Sequence, residues 1–301
     1  MSLRRLTPLL LLLALIAGCG DSGGSSSGQS ASEVLKKAGT QTAKSADVKL
    51  ELEASVKGGE GFDGPAKFSL EGPYRSNGAK TLPDLDWKLH AEGDGQKFDA
   101  RLITTRDNAW VEYGGTTYQV GEALWARALA ALAQQEEPGA PETLAEAGID
   151  PLEWVEEAET GGEETVDETQ ATEVTAKLDV ESMLRDFTRI PGATRRRLPE
   201  GTLRDAEDVV EDVELEALIG EDDIWRRISA ETEFDIPEDE RDALGGLEGG
   251  RVELHVQLAQ PNEPVEIEGP SQARPIDELL RALQIPPELF LGPGFAQPSP
   301  N

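Results

Sequence analysis

Apolar and polar residues alternate with a period of two along much of the chain. In residues 47–56, Val48, Leu50, Leu52, Ala54 and Val56 alternate with polar, mostly charged side chains, which predicts a strand with one apolar face. Five further strands are predicted by the same alternation or by short apolar runs, at residues 67–70, 85–91, 98–102, 109–113 and 116–120. These strands follow one another closely, so they predict an antiparallel meander whose apolar face must be covered.

The same period returns in the second half of the chain. Residues 172–180, 224–234 and 251–258 are predicted as strands, with Ile228, Ala230, Thr232 and Phe234 on the inner side of the second one. Residues 265–267 are predicted to extend the sheet. In the meander, Gly114-Gly115 marks a hairpin turn between two of the strands.

Helical spacing separates and follows these strands. A short helix is predicted at 32–43 with Ser32 as its N-cap, and a longer one at 122–135. The stripe of apolar residues in 202–219, with Thr202 and Asp205 as a capping box, predicts another helix. The remaining helical segments are predicted at 142–147, 151–157, 181–189 and 276–283. Together the elements indicate an α+β fold.

The N-terminus has the pattern of a secretory signal peptide. Arg4 and Arg5 precede an apolar run that is too short to span a bilayer, and Ile16-Ala17-Gly18-Cys19 ends it. This ending looks like the lipobox of bacterial lipoproteins, in which Cys19 carries acyl chains such as palmitate and becomes the first mature residue. The alternative is an ordinary signal peptide with a chance cysteine, although Cys19 is the only cysteine in the chain. Residues 1–18 are therefore predicted as signal peptide and 19–31 as lipidated cysteine and flexible Gly/Ser linker.

The charge balance restricts the partners of the chain. There are 28 basic and 59 acidic residues, a formal charge of −31, and loss of Arg4 and Arg5 with the signal peptide makes it −33. Such a charge repels nucleic acid and anionic headgroups, so no nucleic-acid partner is expected. Attachment to the membrane then depends on Cys19, which places the protein on the extracytoplasmic face of the cell membrane.

The residues that usually carry catalysis are few. His90 and His255 fall among the polar positions of their strands and are expected to face solvent. The one Gly-x-Ser-x-Gly match, Gly24 to Gly28, lies in the linker rather than between a strand and a helix. No catalytic residue, metal or cofactor is therefore predicted. Arg195-Arg196-Arg197 either binds phosphate or an acidic partner, or neutralises nearby acids, and its role stays open.

Two segments carry a resemblance to a known family. Residues 163–179, which include Thr165-Val166-Asp167, and the closing segment 269–275 resemble the LppX/LprAFG lipoproteins of mycobacteria and their actinobacterial relatives. Glu168 and Ala176 stand where that family commonly has glycine, and the predicted helix 202–219 is a further departure. The resemblance covers residues 32–285.

The resemblance implies a LolA-like half-barrel, a curved antiparallel sheet with helices covering its concave apolar face, as a single domain over 32–285 before a Pro/Gly-rich tail at 286–301. It also implies a non-enzymatic lipoprotein that binds the acyl chains of a lipid or lipoglycan and carries or presents it at the cell envelope. The residues expected to line the lipid cavity are Leu50, Leu52, Leu89, Leu102, Val174, Ile228, Leu254 and Val256. The alternative is an envelope interaction or structural lipoprotein with a packed core and a protein partner.

Overall fold

A computed structural model describes residues 30–58, 64–78, 81–134, 150–167, 169–187, 209–210, 213–239, 241 and 245–285. Its strands form one twelve-stranded sheet in the order β12-β6-β5-β4-β3-β2-β1-β11-β10-β9-β8-β7. The strands are β1 Ser45–Gly58, β2 Gly64–Arg75, β3 Asp84–Gly93, β4 Gln96–Thr104, β5 Ala109–Tyr113, β6 Thr116–Gln119, β7 Val155–Val166, β8 Thr169–Leu178, β9 Val213–Gly220, β10 Trp225–Asp235, β11 Leu247–Ala259 and β12 Arg274–Pro275.

The sheet is an open half-barrel, as predicted. All neighbouring strands pair antiparallel except β12 with β6, which pair in parallel. Because a twisted open sheet of more than about ten strands curls, one face of such a sheet becomes concave. Here β12 and β7 remain as two separate edges, so the sheet does not close.

The helices are short and lie between or beyond the strands. A 3₁₀ turn at Pro151–Trp154 precedes β7. The α-helices are α1 Ala31–Ala38, α2 Glu122–Gln134, α3 Val180–Phe187 and α4 Ile276–Ala282.

The predicted first helix is displaced along the chain. Its N-cap is Ser30 rather than Ser32: the Ser30 hydroxyl accepts a hydrogen bond from the Glu33 backbone N–H, and the Glu33 carboxylate accepts one from the Ser30 N–H. This reciprocal pair satisfies two backbone donors, which Ser32 with Leu35 three residues later cannot do. The helix ends at Ala38, five residues before the predicted end.

The predicted helix at 202–219 is wrong over its second half. Residues 213–220 form β9, a strand between β8 and β10. Its apolar residues Val213, Leu215, Ala217 and Ile219 fit a period of two, whereas only Val213 and Ala217 also fit the helical stripe, and pairing on both sides satisfies the backbone. Residues 201–208 lie outside the described residues.

Two smaller predictions are also wrong. The helix predicted at 151–157 is helical only to Trp154, and Val155 begins β7. Residues 265–267 are irregular, because this segment runs along the ends of strands, where the Val265 carbonyl accepts a hydrogen bond from Arg75 at 3.0 Å. The hairpin turn at Gly114-Gly115 is confirmed, with positive φ at both glycines. The predicted helix at 142–147 lies outside the described residues.

We predict that Ser30→Ala lowers the free energy of unfolding by about 1 kcal/mol, because the first turn of α1 loses its capping oxygen. Ser32→Ala is the control: Ser32 is exposed inside the helix, and its replacement should change stability by less than about 0.5 kcal/mol. Urea denaturation of both variants measures this difference. An equal loss in the two variants would contradict the assignment of Ser30 as the N-cap.

Candidate functional site

One face of the sheet, here called the inner face, is apolar from strand to strand because the period-two patterns are in register. A first row of paired residues crosses from β8 to β5, and a second row lies beside it from β7 to β4. The first row is Val174, Ala217, Ile228, Val256, Leu50, Leu70, Leu89, Ala100 and Tyr113. The second row is Ala158, Ala176, Leu215, Ala230, Leu254, Leu52, Phe68, Ala91 and Phe98.

All eight residues predicted to line a lipid cavity lie on this inner face. Seven belong to the two rows, and Leu102 lies beside them, between Trp87 and Val111. Val174 and Leu50 are fully buried, whereas the other six are partly buried. Their contact with a lipid stays a prediction.

Sequence reasoning did not assign Phe68, Ala91, Ala230 or Phe98 to the site. The signal was present in the alternation of each strand, since Phe98 has the same parity as Leu102, and Phe68 the same parity as Leu70. The alternation does not show which strands pair, and it is this pairing that brings the four side chains into one row.

Helices cover the two lateral ends of the inner face. At one end, α1 packs its buried Val34, Leu35 and Ala38 against Val174 and Ala217. At the other end, the buried side chains of α4, namely Ile276, Leu279 and Leu280, pack with Val111, Tyr113 and Tyr118. Each such aliphatic side chain removed from water contributes about 1.5–3 kcal/mol.

Between the two helical covers the second row of the inner face is only partly buried. Leu52, Phe68, Leu254 and Ala91 all retain some exposure, and Phe98 keeps 42% of its surface exposed. Phe98 contacts Tyr113, with ring centroids 5.5 Å apart. The arrangement is therefore an apolar floor with walls at both sides, which is the usual composition of a site for an apolar ligand.

Two tryptophans lie near the floor, and their indole N–H groups differ in partner. The Trp225 Nε1–H donates to the Ala38 carbonyl oxygen at 2.9 Å and so connects α1 to the sheet. The Trp87 Nε1–H is buried and has no hydrogen-bond partner among the described residues. A buried donor without a partner costs free energy, while the Trp225 bond contributes about 1 kcal/mol.

The opposite, outer face carries charge. The Arg101 guanidinium donates two hydrogen bonds of 2.6 Å to Asp86, which raise the pKa of Arg101. Lys67 donates to Glu53 at 2.7 Å. A cleft of about 520 Å³ on this face is lined by Arg101, Asp86 and other charged groups, including Lys49 and Lys88. Because its charged side chains are largely paired with one another, this cleft does not fit an acyl chain.

Both histidines lie on the outer face, as predicted. His90 Nδ1 is 2.6 Å from an Asp99 carboxylate oxygen, and His255 Nδ1 is 3.0 Å from the Ser229 hydroxyl. Within the described ranges, no three His, Cys, Asp or Glu side chains are grouped to hold a metal ion. None of the described helices is long and apolar enough to cross a membrane. Cys19 and Arg195-Arg196-Arg197 lie outside the described residues.

We predict that Trp225→Phe lowers the free energy of unfolding by about 1 kcal/mol more than Trp87→Phe does. Both changes remove the same part of the side chain, but only the first removes a hydrogen bond and leaves the Ala38 carbonyl without its indole donor. Guanidinium denaturation of the two variants measures the difference. Equal destabilisation would show that the indole bond does not hold α1 on the sheet.

Comparison with known proteins adds a likeness in fold. No protein-family model and no curated protein matches the chain. LprF from Mycobacterium bovis is 14% identical with a TM-score of 0.41, covering 83% of this chain and 100% of LprF. The lipoprotein LppX from Mycobacterium tuberculosis is 14% identical with a TM-score of 0.36, covering 79% of this chain and 94% of LppX.

A more distant match is a putative outer membrane lipoprotein-sorting protein domain from Vibrio parahaemolyticus, 5% identical with a TM-score of 0.16, over 71% of this chain and 86% of that domain. At these identities and scores the likeness carries no function. LprF and LppX are proteins of the family that the sequence resembles.

Proposed function

We propose that this chain is a membrane-anchored extracytoplasmic lipoprotein whose inner face binds the acyl chains of a lipid or lipoglycan, and that it carries or presents this lipid at the cell envelope. The observation that carries the proposal is the apolar floor between α1 and α4. Each of its two rows continues across nine strands without a charged side chain, yet the middle of the second row is only partly buried.

The physical gain is burial of hydrocarbon on both sides of the contact. An acyl chain lying on Leu52, Phe68 and Leu254 removes its own methylenes from water, worth about 0.8 kcal/mol each, and covers these side chains as well. No charge needs to be desolvated, because the charged residues of these strands project from the outer face. The floor therefore selects ligands by the hydrophobicity and shape of their acyl chains, while the polar headgroup stays in water.

The anchor places this binding domain at the membrane. Acylation of Cys19 holds the chain at the bilayer, and the Gly/Ser linker lets the domain that begins near residue 30 stand away from it. With a formal charge of −33 after processing, the domain itself is repelled by anionic headgroups. Residues 32–285 then act as one lipid-binding domain, with 286–301 as a tail. The role is binding and transfer, without a catalytic step.

We predict that Cys19→Ser abolishes both incorporation of radioactive palmitate and recovery in the membrane fraction of a bacterial host that processes lipoproteins. Ser25→Ala, in the linker, is the control and should retain both. Labelling of the Cys19→Ser chain would contradict the proposed anchor.

The binding itself is tested by native mass spectrometry on the chain from residue 20, which keeps every described residue, after purification from a host with a cell envelope. We expect co-purifying acyl lipid near one equivalent. The double variant Leu52→Trp with Leu254→Trp places two larger side chains on the floor, at positions that face each other across β1 and β11. If these rings displace only two methylenes of the acyl chain, the loss of about 1.6 kcal/mol should weaken lipid binding about tenfold.

A matched control exists one residue away on the same strands. Glu51 and His255 are also cross-strand partners, but both are exposed on the outer face, so Glu51→Trp with His255→Trp should leave lipid binding unchanged. A clean unliganded mass for the native sequence, or equal loss in both double variants, would contradict the proposal. The first result favours an interaction module with a packed core, a role also consistent with the complete burial of Val174 and Leu70.

A further inference from the structure

The inner face has a closed end and an open end along the direction of its strands. On β1, Ala46 is 0% exposed and Leu50 is 5% exposed, whereas Leu52, Ala54 and Val56 are only partly buried. All of these residues lie on the same face of one strand. The difference in exposure therefore depends on their position along the strand, and not on which face they occupy.

Neighbouring strands show the same change at the same level. On β2, Leu70 is 1% exposed, and Phe68, which precedes it on this face, is partly exposed. On β11, Leu258 is buried, whereas Leu254 and Val252 are partly exposed. Because β1 runs antiparallel to both strands, burial decreases toward a common end of the sheet.

The closed end is held by an irregular segment that crosses the strand ends, residues 260–273. The Ser45 hydroxyl donates to the Glu263 carbonyl at 2.6 Å, and the Lys44 backbone N–H donates to the Asn262 side chain at 2.8 Å. The β9–β10 connection adds buried Ile224 to the same cluster as Val48. Backbone hydrogen bonds and packed side chains therefore shut the inner face at this end.

Among the residues that the structure describes, none closes the opposite end between β1 and β4. Phe98 lies there, close to the Asp94-Gly95 turn of the β3–β4 hairpin, with 42% of its surface exposed. Toward β10 and β11 the same end is closed again, since Ile236 is 5% exposed and its backbone N–H donates to the Glu248 carbonyl. The opening is thus restricted to the side where Phe68 and Phe98 lie.

We propose that an acyl chain enters the inner face at Phe98 and lies along the strands, with its methyl end toward Ala46 and Leu70 and its polar end outside at Phe98. This orientation rests on the proposed function. It follows from the position of the two ends, because the polar group of the ligand keeps its water only at the open end. Phe98 is then the first apolar side chain that the incoming chain contacts.

The orientation is tested with stearic acids that carry a nitroxide either next to the carboxylate or near the methyl end. The protein is the chain from residue 20, labelled with fluorotryptophan and carrying Phe98→Trp, and fluorine NMR resolves its tryptophans. Trp87 and Trp225 report on the closed end, because they pack with Val48 and Leu50. Trp110 is an internal control on the outer face, where Gly269 lies against its ring.

We expect the nitroxide next to the carboxylate to broaden the signal of the tryptophan at position 98 most, and the methyl-end nitroxide to broaden Trp87 and Trp225 most, with Trp110 broadened less than the nearest inner-face tryptophan in each case. The reverse order, or equal broadening of both ends by both labels, overturns the orientation while leaving lipid binding intact. No broadening by either label overturns the proposed function itself. Tyr113→Trp, whose ring lies beside Phe98, serves as the reporter if Phe98→Trp does not fold.

Discussion

The structure depends on strand register. A sheet of this width has one continuous apolar face only if every strand presents its apolar parity at the same side, and a slip of one residue would expose that strand's apolar set. Pairing of Leu50 with both Val256 and Leu70 fixes the centre of this arrangement. The rows then extend outward from β1 until α1 and α4 cover them. Every other property of the site, including its width and its lack of charge, follows from this register.

The acidic surface of the protein follows from the same strand register. Since the apolar parity is reserved for the inner face, the charged residues of each strand are collected on the outer face, where opposite charges stand across strands. Lys67 with Glu53, and Arg251 with Glu231 at 2.7 Å, are examples. Such exposed pairs contribute little stability each, so their effect is to keep the outer face hydrated. The outermost strand β7 carries exposed glutamates, which discourage another chain from pairing at that edge.

How far the sequence predicts this fold depends on whether a strand is half buried. β1 and β3 show clear alternation of apolar and polar residues, so both their existence and their inner residues could be predicted. β7 is an exposed edge strand with little apolar parity, and its glutamates gave no signal that separates it from a helix or loop. β9 was missed for another reason: Val213 and Ala217 also continue the helical stripe of the residues before them, and the position of β9 between β8 and β10 decides for the strand. The site was predicted residue by residue, but Phe98 required knowledge of which strands pair.

Among the described residues, helices cover the lateral ends of the apolar face and leave its middle partly exposed, which has an energetic consequence. The clusters under α1 and α4 are complete in themselves, with fully buried Ala38 and Ile276, so the helices gain their stability without closing the middle of the sheet. The Trp225 bond to Ala38 further restricts α1 to its own end. The partly buried middle, from Leu254 to Phe98, therefore leaves apolar area in contact with water at about 25 cal/mol per Å². A ligand that covers this area binds the folded chain and not the unfolded one, and so stabilises the fold by mass action. Folding stability and occupancy of the inner face are coupled through the same side chains.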